Sequence, residues 1–415
     1  MTKLECSKPQ NSLRMGVLTA RLCIGIVSCV VSLLAINCFA QQAQEPMNKF
    51  AVQSDSAKPR DVVPMNGLHV VNNQILNGAG QALFFHGVNR SQTEYECIAG
   101  TDVTPRTQAI VDAIKSWNAN SVRVPLNEDC WLGINTTSTN AAYMGAAYQQ
   151  AIIDWVNLLT SCSNNLAVIL DLHFNAPGTT PSTRQNPMPD ADHAVAFWTS
   201  VASTFKSNSS VIFDLFNEPY PYFNAENQWS NGSSSTAWQC WLNGGNSCAD
   251  PNMTYTAAGM QSLVDAVRSV GANNVIMVGG LQYSNDLTQW LTYEPADSRQ
   301  NLMASWHVYR VNSCVSLTCW NSKVAPVAAQ VPLIAGEYGI AQTDGTDCNV
   351  AFLDSLWSFL EGQQQGYAAW KFNIWPGECG NSTSFNWALI SDETGTPTTY
   401  GSLYKNHIQS LPSTY

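Results

Sequence analysis

The chain has 415 residues, of which 45% are apolar and 12% charged, with a formal net charge of −11. That apolar share excludes global disorder, and charged residues at about half the usual share of roughly 25% exclude a coiled coil. No run of Lys and Arg is present to neutralise phosphates, so nucleic acid is excluded as a partner. Fourteen tryptophans are many. Flat indole faces suit core packing, and they suit stacking on sugar rings equally well.

At the N-terminus, Lys3, Lys8, Arg14 and Arg21 precede an apolar run from Leu22 to Ala40. A basic flank, an apolar segment and a small residue ahead of polar Gln41 read as an export signal over residues 1–40. The run is also just long enough to span a bilayer. An uncleaved anchor is therefore the alternative, and membrane association is expected only in that case. Either way the remainder is expected outside the cytoplasm, secreted or periplasmic. Residues 41–64, with Pro46, Pro59 and Pro64, read as a flexible linker. Residues 65–415 read as one folded domain, expected to be a monomer.

Four of the 13 cysteines lie in the leader. In an oxidising compartment the rest are expected in disulfides. Cys240–Cys248 and Cys314–Cys319 are local pairs, while Cys97–Cys130 and Cys348–Cys379 would join loops. Cys162, on a helix beside an apolar strand, is expected to be a buried free thiol. No CxxC pair and no His at ligand spacing accompany them, so no metal site is expected, and no cofactor.

Leu68–Val71 and Gln74–Leu76 flank Asn72-Asn73, a hairpin signal. A repeating pattern follows. Apolar runs at 83–88, 121–125, 167–173, 211–217, 275–279, 302–306, 332–336 and 366–370 read as strands. Amphipathic segments at 105–118, 146–163, 190–207, 254–270, 349–363 and 400–411 read as helices. Pro105 is expected to open the first of these. Strands this uniformly apolar are buried on both faces, which means a parallel sheet covered by helices. Eight of them fit an α/β fold of the (β/α)8 TIM-barrel type. A doubly wound open sheet is the alternative, but His86-Gly87-Val88-Asn89-Arg90 after the first strand offers no phosphate cradle.

In a barrel, functional groups collect where strands run out into the following loops. Those ends carry Arg123, His173, Asn217, Glu218, His307, Tyr309, Glu337 and Trp370. Glu218 lies in Phe216-Asn217-Glu218-Pro219 and Glu337 in Gly336-Glu337-Tyr338-Gly339. A carboxyl pair is what glycoside hydrolysis needs: one acid protonates the leaving oxygen, and the other carboxylate attacks the anomeric carbon. Arg123 and Tyr309 are placed to stabilise the Glu337 anion, His173 and His307 to orient hydroxyls or tune the acids, and Asn217 to bond a sugar 2-OH.

The motifs VRVP, DLH, FNEP, WHVY, GEYG and AAW, in that order on successive strands, resemble glycoside hydrolase family 5, retaining β-glycanases of the cellulase type on a (β/α)8 barrel. The resemblance runs from Gly67 to Leu411. It implies that Glu218 is the acid/base and Glu337 the nucleophile. It implies substrate-binding roles for Arg123, His173, His307, Tyr309 and Trp370, and a β-1,4-glucan substrate, with mannan and other β-glycans as alternatives. The stretches GVNRSQTEYECI and VRVPLNEDCWLG resemble a bacterial cellulase-like branch, which supports Cys97–Cys130. Two departures stand out. His86 replaces the Arg often found before the first-strand Gly-Val-Asn, and Trp370-Lys371-Phe372 replaces Trp-x-Trp, with Trp375 further on.

The long segment 219–253, with Trp229, Trp238 and Trp241, reads as a groove wall with an indole free to stack on sugar, or else with its indoles packed beneath it. The remaining polar residues read as structural. Asp190 and Asp192 are expected to cap a helix, Asp171 and Asp214 to be satisfied in the core, and Glu128 and Asp129 to hold a loop. His69 and His193 are expected at the surface or at caps, and His407 on an exposed helix face.

Overall fold

The computed structural model describes residues 63–411 apart from 103, 136–137, 223–231, 247, 249, 252, 341–348 and 376–386. The leader, nearly all of the linker, Trp229 and the Cys348–Cys379 pair lie outside the described residues. Eight parallel strands form a closed barrel in sequence order. They are β1 (His86–Asn89), β2 (Ser121–Asn127), β3 (Ala167–Phe174), β4 (Val211–Asp214), β5 (Ile276–Gly279), β6 (Leu302–Tyr309), β7 (Leu333–Gly339) and β8 (Gly366–Ala369). Every residue of β2, β3 and β7 is buried, as continuous apolar runs covered on both faces require.

Helices at Gln108–Ser116, Ala146–Thr160, Ala194–Phe205, Met260–Ser269, Val350–Gly362 and Thr399–Ser410 surround the barrel. Each turns an apolar stripe inward, as Ile110, Val111 and Ile114 do on the first. Several start later than the sequence pattern implied. Pro105 does not open the first helix, whose N-cap is Thr107. His193 sits at the N-cap of the third, while Asp190 accepts the His193 N–H from just upstream and Asp192 accepts the Gly178 N–H. The expected fourth helix gives its first residues to a short antiparallel pair, Gly244–Asn246 with Thr256–Ala258. Segment 317–328 is helical, which its mixed polarity concealed. Among the described residues no helix is long and apolar enough to cross a membrane.

The hairpin forms as expected, with His69–Val71 against Gln74–Leu76, and Ala82–Leu83 joins it as a third strand. Leu83 therefore belongs to the hairpin and not to β1. Met65, Leu68, Ile75, Leu83 and Phe85 pack on Ile169, Ile212, Met277, Met303 and Ile334, which point into the barrel. The hairpin thus stoppers the end of the barrel opposite the strands' C-termini. Ile75 is 3% exposed. Ile75→Ala is expected to cost about 2–4 kcal/mol in a urea titration, with kcat unchanged below the melting range, because the cavity opens far from the strand C-termini.

Disulfides join Cys97 to Cys130, Cys240 to Cys248 and Cys314 to Cys319. Cys162 corrects the expectation of a buried free thiol. It lies exposed beyond the end of its helix and is disulfide-bonded. His407 is also not exposed: it lies half-buried and stacked on Trp357 at 4.0 Å. The 219–253 segment contains a helix, Ser235–Asn243, whose Trp238 and Trp241 are fully buried. Their indoles hold the wall together and present no face to a sugar.

Candidate active site

Inward side chains form tiers up the barrel, two residues apart on each strand. Above the apolar tier of Ile169, Ile212 and Met303 lie Arg123, Asp171, Asp214 and Ser305. Above those lie His173 and His307. On β7 the alternation breaks. Trp306 pairs with Ala335 but His307 pairs with Glu337, so Gly336 is an extra residue. Ile334 points inward, and a straight strand would turn Gly336 inward and Glu337 out. The bulge instead aims Glu337 into the barrel and Tyr338 outward, where its hydroxyl meets the Trp357 indole N–H at 3.0 Å. A Cβ at the bulge would lie 2.6 Å from Ser305 Oγ, so any larger residue there would have to displace that hydroxyl. Asn89 Nδ2 donates to the Gly336 carbonyl at 3.0 Å and fixes the distortion.

β4 ends at Asp214, so Asn217 and Glu218 lie just beyond it. Their backbone remains tied to the barrel: Leu215 N–H donates to Met277 on β5 and Asn217 N–H to Leu172 on β3. Glu218 is thereby held across the barrel mouth from β7.

Arg123 organises the site. Its guanidinium reaches Glu337 Oε1 at 2.7 Å, Asp214 Oδ2 at 2.9 Å, Asp171 Oδ2 at 3.2 Å and Asn217 Oδ1 at 2.9 Å. Tyr309 Oη donates to Glu337 Oε2 at 2.8 Å, so each Glu337 oxygen has its own donor. His307 Nδ1 lies 2.8 Å from Glu218 Oε1 and 3.8 Å from Glu337 Oε2. One oxygen of Glu218 and one of Glu337 lie within 4.8 Å of each other. Trp370 lies parallel to the His173 ring at 5.6 Å, while the ammonium of Lys371 stands 4.1 Å over the exposed ring of Trp375.

Burial sets the protonation pattern. It raises the pKa of Glu218 above the usual carboxylate range, keeping that group available as an acid. It lowers His307 to about 3, so this imidazole is neutral at working pH. It also disfavours charge on His173, but the Asp171 carboxylate 2.8 Å away outweighs it and lifts His173 to about 9. Asp171 and Asp214 compete for one guanidinium and titrate apart. Burial opposes ionisation of both, yet Arg123 and His173 bring Asp171 down, while Asp214 stays raised at about 8. Burial and the neighbouring Glu337 push Tyr309 well above a normal phenol, so it remains a donor.

All eight residues named from the sequence therefore lie at one end of the barrel. Sequence reasoning missed two partners. Asn89 joins Arg123 to β8 and to the bulge, and its one signal was a polar residue at the end of β1. Gln185 donates to Glu218 Oε2 at 2.6 Å from a loop with no periodicity to mark it. Asp171 and Asp214, read as satisfied core acids, are bonded to Arg123 within the tier beneath the site. His86 is buried beside Phe84 and Asn120, near the stoppered end. Glu128 accepts the Ala176 N–H and Asp129 the Ser182 N–H, so both support a loop. Glu128, Asp190 and His193 also converge closely enough to consider a cation. Both Asp190 oxygens already accept N–H groups and His193 Nδ1 is bonded to the Ala176 carbonyl, so the cluster is accounted for as loop support.

Comparison with known proteins agrees with this geometry. Residues 77–375 match the model of the family described as cellulase (glycosyl hydrolase family 5). The chain is 24% identical to a β-mannanase/endoglucanase A of Caldicellulosiruptor saccharolyticus over 84% of its own length, spanning 23% of that longer protein. It is 20% identical to a mannan endo-1,4-β-mannosidase of Salipaludibacillus agaradhaerens, over 79% of this chain and 86% of that one. An endoglucanase B of Clostridium cellulovorans is 26% identical over 49% of this chain and 42% of its own. Among solved structures, a β-glucanase from Saccharophagus degradans superposes with a TM-score of 0.58 at 17% identity, covering 82% of this chain and 92% of that one, and so shares the fold. With the matched region covering most of the barrel and both glutamates inside it, the chain belongs to the cellulase family, glycosyl hydrolase family 5.

Proposed function

We propose that the chain is an endo-acting, retaining β-glycanase that cleaves β-1,4-glucan, with Glu218 as acid/base and Glu337 as nucleophile. The observation that carries this reading is the approach of one oxygen of each carboxyl to within 4.8 Å of the other. Retention needs about 5–5.5 Å between the groups, whereas inversion needs roughly 6.5–9.5 Å to admit a water. Glu218 protonates the glycosidic oxygen while Glu337 attacks the anomeric carbon from the opposite side. The leaving chain departs as an alcohol and a glycosyl ester remains on Glu337. Glu218, now a carboxylate, takes a proton from water as that water displaces Glu337. Arg123 and Tyr309 hold the nucleophile's oxygens, and Asn217, fixed by Arg123, serves the sugar 2-OH. Trp370 is the sugar platform. The disulfides favour an exported protein, so activity is expected in the extracytoplasmic fraction, and activity confined to the cytosol would contradict this.

The family description and the endoglucanase relative support glucan. Mannan is the second reading, favoured by the mannanase relatives. Reducing ends released from hydroxyethylcellulose, mixed-linkage glucan, mannan and xylan decide between them. Fastest release from a β-glucan is expected, and fastest release from mannan selects the second reading. Proton NMR of fresh product is expected to show the β-anomer first. An α-anomer, or no release from any polymer, would overturn the assignment.

A further inference from the structure

Both oxygens of Glu218 are engaged from within the protein: Oε1 by His307 Nδ1 at 2.8 Å and Oε2 by Gln185 Nε2 at 2.6 Å. A general acid must bring one oxygen to roughly 2.6–3.2 Å from the atom it protonates. A donor on the oxygen that faces the leaving sugar favours the carboxylate, so loosening one of these two bonds favours the acid. His307 is fully buried inside the barrel, whereas Gln185 stands at its mouth. Gln185 is half-buried and lines a cavity of about 930 Å³ with Arg184, Asn186, Pro187 and Tyr220. Its backbone is fastened: Tyr220 Oη donates to the Gln185 carbonyl at 3.2 Å and Tyr220 N–H to the Pro187 carbonyl at 2.9 Å. Only the side chain has freedom, and the cavity gives it somewhere to go.

We propose that Gln185 is a positioning residue that holds Glu218 through Oε2 between turnovers and is exchanged for the glycosidic oxygen when the leaving-side sugar enters. The inference rests on Glu218 being the acid/base. Its chemistry follows from donor and acceptor roles. The Gln185 amide is a donor and favours the carboxylate, while the glycosidic oxygen is an acceptor and favours the carboxylic acid. Exchanging one for the other favours keeping the proton that Glu218 took from water at the end of the previous turnover. Glu218 then gives that proton to the leaving oxygen, the sugar departs, and Gln185 returns to the carboxylate that must next take a proton from water.

The experiment compares Gln185→Met, which keeps length and removes the donor, and Gln185→Ala with the parent enzyme, across pH, on two substrates. One is an oligosaccharide of the polymer the enzyme cuts. The other is the matching 2,4-dinitrophenyl glycoside, whose leaving group needs no proton. On the oligosaccharide the alkaline limb of kcat/KM is expected to move up by about half a pH unit or more, the size of one lost hydrogen bond to the ionised form. On the dinitrophenyl glycoside kcat/KM is expected to stay within about twofold. An unmoved alkaline limb in both variants, or an equal loss on both substrates, would overturn the proposal. Glu218→Ala is run alongside. If it fails to separate the two substrates, the acid/base assignment falls first and the role of Gln185 with it, an outcome distinct from failure of Gln185 alone.

Discussion

Glu337→Gln is expected to lower kcat/KM by at least about a thousandfold on every substrate, activated or not, while Glu218→Gln lowers kcat/KM that far only on substrates with sugar leaving groups, its kcat falling on both because water then attacks the glycosyl ester without a base. The asymmetry follows from the roles. Without the nucleophile no glycosyl ester forms, however good the leaving group. Without the acid, a dinitrophenolate can still depart unassisted. Both replacements keep the side chain's shape. A glutamine at 337 accepts from Arg123 through its carbonyl oxygen while its amide donates to the Tyr309 hydroxyl, so melting temperatures near the parent value are expected. Steady-state kinetics on the polymer and on a dinitrophenyl glycoside, with calorimetry of each variant, check the claim. Unaffected turnover in either variant, or loss of folding in both, would remove the two glutamates from the mechanism.

Arg123→Met is expected to have the largest effect on stability, about 3–5 kcal/mol in denaturant titration, with activity lost as well. Arg123 is fully buried and faces Asp171, Asp214 and Glu337. Removing it leaves buried carboxylates without their cation, and His173 alone cannot compensate. The pH dependence gives a second test. Stripped of the guanidinium, Asp171 and Asp214 have folded-state pKa values raised by burial above their unfolded ones. They then favour the folded form below the unfolded pKa, and that contribution disappears as pH rises through the folded value. The variant should therefore gain stability on acidification from pH 8 to 5 relative to the parent enzyme. Arg123→Lys should recover only part of the loss, because an ammonium cannot span four partners as the planar fork does. A variant as stable as the parent at pH 8 would mean that the tier is held by other forces.

Eight strands were legible because burial on both faces leaves an unmistakable apolar run, as in Ala167–Phe174. The site was legible because barrel geometry sends strand C-termini to one end, and Arg123, His173, His307 and Glu337 stand at those ends. Helix starts were less legible, since Pro105, Asp190 and Asp192 look like capping residues wherever they fall. The tryptophans of the 219–253 segment carried no mark of direction, and only packing distinguishes a sugar platform from a strut. Cys162 was misread because a helix was extended past Thr160, which placed an exposed, disulfide-bonded cysteine in an apparent core. Gln185 could not have been found at all: its function depends on where a loop crosses the mouth of the barrel, and loop sequence does not encode that crossing in any period.

The extra glycine in β7 carries a warning for anyone redesigning this enzyme. A protein engineer seeking a more regular barrel would keep every residue but straighten β7, giving Gly336 an ordinary inward position and restoring strict in–out order. The strand beyond that point would then rotate by half a turn. Tyr338 would fill the cavity mouth, and Glu337 would face the Val350–Gly362 helix and its Trp357. The idealised protein would be well folded and inert, because in this enzyme the reaction depends on a counting error that the fold preserves.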